Sequence, residues 1–105
     1  MGTSKRLAPL YDRYSQHSAI AKAARSGPLQ SLTTRELALD VQPLTIYPRP
    51  QGKVLAWVRF GPEAIRVEAE VWRSTPLAAG IVFRAGDTTY RCWVWGSAVQ
   101  PHPDD

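Results

Sequence analysis

Cysteine occurs once in the 105 residues, at Cys92, and histidine twice, at His17 and His102. A single thiol excludes an internal disulfide framework and any cysteine-rich zinc site. By pattern these three side chains fall on a strand, a helix and a tail, without zinc-type spacing, so neither a metal nor another cofactor is expected. No apolar run approaches the roughly 20 residues of a membrane-spanning helix, and none resembles a secretory h-region. Gly27, Gly52, Gly61, Gly80, Gly86 and Gly96 compose no Walker or dinucleotide fingerprint. A Gly-x-Ser-x-Gly elbow is absent too, and neither histidine has a local partner that would activate a nucleophile. Hydrophobic residues at 44% and charged residues at 21% are ordinary for a globular protein, which excludes wholesale disorder. The expectation is a cytoplasmic, single-domain protein that is not an enzyme.

What charge there is lies unevenly. The formal net charge is +4, yet residues 1–53 hold eight cations against three anions, and residues 54–105 hold five arginines against six acids. That is the pattern of a basic segment attached to a near-neutral body. Basic segments attract phosphate backbones through counterion release, which makes nucleic acid a candidate partner and Lys5, Arg6, Arg13, Lys22 and Arg25 candidate phosphate contacts. The competing explanation is that a modest positive charge keeps a small protein soluble. Ten of the thirteen cations are arginine, which suits planar contacts with phosphate but follows equally from a GC-rich genome.

Residues 1–8 and 100–105 carry no hydrophobic pattern and are expected to fray. From Pro9 to Arg25 the spacing predicts a helix. Leu10, Tyr14, His17, Ala21 and Ala24 recur every three or four positions, Tyr11 and Ile20 widen the stripe, and Asp12, Lys22 and Arg25 match the helix dipole. Ser26-Gly27-Pro28 stops it, with glycine in the left-handed position after the last turn. Thr33-x-x-Glu36 is a capping box and opens a short helix, about Thr34 to Leu39. Residues 41–52 contain three prolines and read as a connector or an edge strand. From Lys53 the period switches to two. Val54, Ala56, Val58 and Phe60 share a side, and Ile65, Val67, Ala69 and Val71 alternate with Arg66, Glu68, Glu70 and Trp72. Gly61-Pro62, Ser74-Thr75-Pro76 and Ala85-Gly86-Asp87 punctuate four strands between 53 and 99.

The fold class is therefore α+β: an N-terminal helix and a short second helix packed on a four- to five-stranded antiparallel meander, which can curl into a small barrel. The ending Cys92-Trp-Val-Trp-Gly-Ser-Ala-Val99 resembles the last long strand and following turn of SH3-like barrels, over about residues 53–100. Through GPLQSL and RCWVW the chain also resembles small proteins of GC-rich Gram-positive bacteria and their mobile elements. That likeness implies no activity.

Two features could carry chemistry. Glu68 and Glu70 share one side of a strand, as paired carboxylates do in acid–base or magnesium sites. A surface ladder with Arg59, Arg66, Arg84 and Arg91 explains them better. The other feature is aromatic. By strand parity Trp57, Trp72, Trp93 and Trp95 fall with Arg59, Arg66 and Arg91, opposite the aliphatic set. The N-terminal helix could cover this face through Leu10, Tyr14 and Ile20, an arrangement that the burial of apolar area favours. Otherwise the face stays open and binds stacked bases or a protein through tryptophan and arginine. The candidate binding residues are thus Lys5, Arg6, Arg13, Lys22, Arg25, Arg59, Arg91, Trp93 and Trp95. The expected function is a nucleic-acid-binding or regulatory accessory protein. The alternative is a module or inhibitor that docks a partner protein through the aromatic-arginine patch or a sheet edge.

Overall fold

The computed structural model describes residues 16–103. Residues 16–24 are helical (α1), and a one-turn helix α2 spans Thr34–Leu37. Five strands follow: β1 Thr45–Phe60, β2 Glu63–Ser74, β3 Ala78–Ala85, β4 Thr88–Trp95 and β5 Val99–Pro101. They form one antiparallel sheet in the order β4-β3-β2-β1-β5. The α+β class expected from the sequence is what the chain adopts. The expected first turns of the N-terminal helix, with Leu10, Tyr11, Asp12 and Tyr14, lie outside the described residues.

Alternation sets the layers. Ala56, Val58 and Phe60 of β1, Val67 and Ala69 of β2, Ala79, Ile81 and Phe83 of β3, and Cys92 and Val94 of β4 make one buried cluster. Phe60 and Phe83 of this cluster and the partly buried Tyr90 packed against it have ring centroids 5.2–6.4 Å apart in edge-on and stacked pairs. Helix α1 enters this same layer with Ile20 and Ala23, both almost fully buried. Here one expectation is corrected: Ile20 packs among the aliphatic side chains, not on the indoles. The physical reason is continuity, because the uninterrupted aliphatic face offers an apolar stripe more contact than a face broken by arginines.

The ends of α1 and α2 differ slightly from expectation. Helix α1 closes through Arg25 and Ser26, whose N–H groups donate to the carbonyls of Lys22 and Ala23 at 3.2 and 2.9 Å. Gly27 is not in the left-handed position, with φ 158°. Its need for glycine is close approach, since a Cβ there would lie 2.8 Å from Gly61 Cα. The capping box forms as read: Thr33 Oγ1 accepts from Glu36 N–H at 3.1 Å, and the Glu36 carboxylate accepts from Thr33 N–H at 2.9 Å. Helix α2 then stops at Leu37, with Ala38 left-handed at φ 49°, ψ 48°.

The proline-rich stretch continues β1 instead of ending before it. Its outer edge is free of β5, which pairs only with Val54–Ala56, and residues 47–50 fall in a register irregularity between the Ile46–Arg73 and Gln51–Val71 pairs, so Pro48 and Pro50 sit where a missing N–H is tolerated. Tyr47 Oη and Ser74 Oγ, 3.0 Å apart, tie this arm to β2. Of the two ends expected to fray, residues 1–8 and 104–105 lie outside the described residues, while residues 100–102 pair with or bond to β1. β5 runs to Pro101, and His102 is buried, its N–H donating to the Lys53 carbonyl at 3.3 Å.

The sheet is open in its ladder, with β4 and β5 as edges, but a strap at 28–33 spans the seam. Gly61 N–H donates to the Pro28 carbonyl at 3.0 Å, and Gln30 N–H to that of Arg59 at 2.8 Å. On its other side Leu32 N–H donates to the Trp93 carbonyl at 3.0 Å, while Trp93 N–H donates to Ser31 Oγ at 2.8 Å. The strap thus bonds the end of β1 to the C-terminal half of β4, across the seam of the curled sheet.

Candidate binding face

The face opposite the core carries all four indoles. Trp57, Trp72 and Trp95 are 50%, 36% and 41% exposed, and Trp93 is half-buried. None belongs to the buried cluster. Strand parity places Trp57, Trp93 and Trp95 here. Parity places Trp72 here as well, and it is the extra residue of a bulge, because Val71 pairs with Ile81 and Arg73 with Gly80. The slip brings Arg73 onto this face beside Gly80, a position that strict alternation in β2 would have assigned to the core side.

Around Gly80 lies a central recess of about 310 Å³, lined by Trp72, Trp93, Arg73, Arg91 and Ser31 among others. Gly80 shapes its floor: a Cβ there would stand 3.3 Å from Trp93 Cε2 and 3.5 Å from Arg73 Cβ. The Arg91 guanidinium lies 5.5 Å from the Trp72 ring centroid, within cation–π range. The lining holds two guanidiniums and no carboxylate. It is therefore cationic and aromatic at once, which suits a flat, anionic ligand.

Two recesses flank it. A proline-side recess of about 290 Å³ shares Trp72 and Arg91 with the central one and adds Pro50, Lys53, Arg84, Glu68, Glu70 and Thr89. A seam recess of about 310 Å³ shares Ser31 and Trp93 and adds Trp57, Arg59, Trp95, Leu32 and Glu36. Trp57 of β1 and Trp95 of β4 meet there although two strands separate them in the ladder, which shows how far the sheet curls.

The expected arginine–glutamate ladder does not form among the described residues. Register explains why: Glu70 is opposite Lys53, Glu68 opposite Leu55, and Arg66 opposite Trp57. β3 parts from β2 beyond the Glu70–Val82 pair, so Arg84 has no partner on β2. Gln16 fills that opening, its Oε1 accepting from Glu68 N–H at 2.8 Å and its Nε2 donating to the Glu68 carbonyl at 3.5 Å. The Glu68 carboxylate meets His102 Nε2 at 3.2 Å, and Arg59 donates to the Pro62 carbonyl at 3.1 Å.

Of the sequence-predicted site residues, the structure brings Arg59, Arg91, Trp93 and Trp95 to this face. Lys22 and Arg25 are exposed but line none of the three recesses, and their helix packs on the other face. Lys5, Arg6 and Arg13 lie outside the described residues. Sequence reading missed Arg73, whose placement follows from the bulge, and Ser31, whose hydroxyl holds the Trp93 backbone. Gly80, in the midst of an apolar strand, was the one visible hint of a close approach. No known protein family, curated protein or solved structure matches the chain. Among the described residues no helix is long and apolar enough to cross a membrane.

Proposed function

We propose that this protein binds nucleic acid, without transforming it, through the tryptophan–arginine face of its sheet. The observation that carries the reading is the central recess, where Trp72, Trp93, Arg73 and Arg91 surround Gly80 and no acid intrudes. Guanidiniums contact phosphates, and indoles stack on bases of any identity. The basic excess of residues 1–53 adds a nonspecific attraction, so affinity falls steeply with salt. The likeness to SH3-like barrels, read from the sequence over about residues 53–100, stays part of this proposal. Such a fold is compatible with many ligands and does not choose among them.

One observation favours the alternative, docking of a partner protein: Val41, Leu44, Ile46 and Leu77 are exposed apolar side chains. Docking through such apolar side chains draws little on charge, so salt should weaken it far less than it weakens phosphate contacts.

The test is fluorescence anisotropy of labelled mixed-sequence oligonucleotides, single- and double-stranded, at low and high salt. The wild-type chain is expected to bind with salt-dependent affinity, and the Arg73→Glu/Arg91→Glu variant, folded by circular dichroism, to bind at least tenfold more weakly. Absence of binding at low salt, or equal affinity for the variant, overturns the proposal.

A further inference from the structure

The three recesses are stepped along one strand. Thr89 and Arg91 line the proline-side recess, Arg91, Cys92 and Trp93 the central one, and Trp93, Val94 and Trp95 the seam recess. Each step is two residues of β4, a translation of about 6.7 Å. Neighbouring recesses share a wall: Trp72 and Arg91 stand between the first two, and Trp93 between the last two. All three are similar in size, from about 290 to about 310 Å³. Each has at least one indole and at least one cation in its lining.

From this periodicity we infer that the face takes a single strand, not a duplex, and seats three consecutive bases, one in each recess. The inference rests on the nucleic-acid reading proposed above. A spacing of about 6.7 Å is twice the roughly 3.4 Å rise of stacked bases, so bases in successive recesses are unstacked from one another. A paired, stacked duplex does not separate its bases to that distance, whereas an unpaired strand does so readily. Each base exchanges stacking on its neighbour for stacking on an indole: Trp72, then Trp93, then Trp57 or Trp95. Arg91 and Arg73 lie beside the central base, where the phosphates on either side of it pass. The central seat is the most cationic, since the proline-side recess sets three cations against two carboxylates and the seam recess one against one.

Oligothymidylates of one to eight nucleotides, titrated by calorimetry at low salt, test the count. Affinity is expected to rise roughly five- to a hundredfold with each nucleotide up to three. Beyond three it should gain only a few-fold per addition, as phosphates alone do. The Trp93→Phe variant, which keeps a ring, should retain this break, and Trp93→Ala should lose the gain from the second and third nucleotides. A trinucleotide of abasic sites should bind poorly. A smooth rise without a break, equal affinity for the abasic strand, or a duplex bound as tightly as its single strand overturns the three-base assignment while leaving nucleic-acid binding standing. No binding by any strand or duplex overturns both.

Discussion

Cys92 shows how parity fixes the chemistry of one side chain. It sits on β4 between Tyr90 and Val94 on the core side, and its neighbour Trp93 is turned to the opposite face. Burial raises the thiol pKa from 9.0 to about 11, because the thiolate would lose its hydration there. In the unfolded chain the thiol ionises near 9.0, so between pH 9 and 11 the unfolded state binds fewer protons than the native one. Stability from this group is therefore complete below pH 9 and is lost as pH rises through 11. At two pKa units the loss is about 2–3 kcal/mol. Urea unfolding of the wild type should show this decline relative to Cys92→Ala, in which the other titrations remain and cancel in the comparison. Parallel pH profiles for the two proteins would mean that Cys92 is open to water. Native Cys92 should likewise resist a thiol reagent at pH 8 and react only after denaturation.

Hairpins and strap are held by glycines whose demands differ, and the difference can be measured. Gly61 and Gly86 each begin a two-residue turn with positive φ, 55° and 59°. Gly86 faces open space, whereas a Cβ on Gly61 would come within 2.7 Å of the Ser26 carbonyl oxygen. Gly86→Ala should thus cost only the left-handed penalty, about 1–2 kcal/mol. Gly61→Ala should cost clearly more, since it also pushes the strap off the end of β1. Denaturant midpoints of the two variants provide the comparison, and equal losses would mean that the strap does not press on this turn. Sequence reading found both turns and all four long strands, because alternation and turn residues are local signals. It could not find the strap, whose bond from Ser31 to Trp93 joins positions 62 apart. Nor could it find β5, at three residues too short to show a period, or the Trp72 bulge, which exists only in register with β3. The position of Trp93 and Trp95 on the face opposite the core was legible from parity alone, and that of Arg73 was not.

Among the described residues, cations lie on both sides of the sheet, and the two sets should act at different stages of binding. Arg73 and Arg91 are in the lining of the central recess, while Lys22 and Arg25 ride on a helix that packs on the opposite side of the sheet. That side was decided by Ile20 and Ala23, whose burial in the aliphatic cluster outweighs anything the exposed cations of the same helix could gain elsewhere. Charges remote from a contact alter the approach of a ligand, through a field that dies away over about 8–10 Å in ordinary salt. Charges in the contact hold it once formed. Reversal at Lys22→Glu/Arg25→Glu should therefore slow association with a single-stranded oligonucleotide a few-fold at low salt and leave dissociation unchanged. Arg73→Glu/Arg91→Glu should accelerate dissociation at least tenfold, and each lost phosphate contact should reduce the salt slope by about one. Stopped-flow mixing resolves the two rates. If reversal on the helix speeds dissociation as much as reversal in the recess, the bound strand wraps from one face of the sheet to the other, and the helix is part of the site.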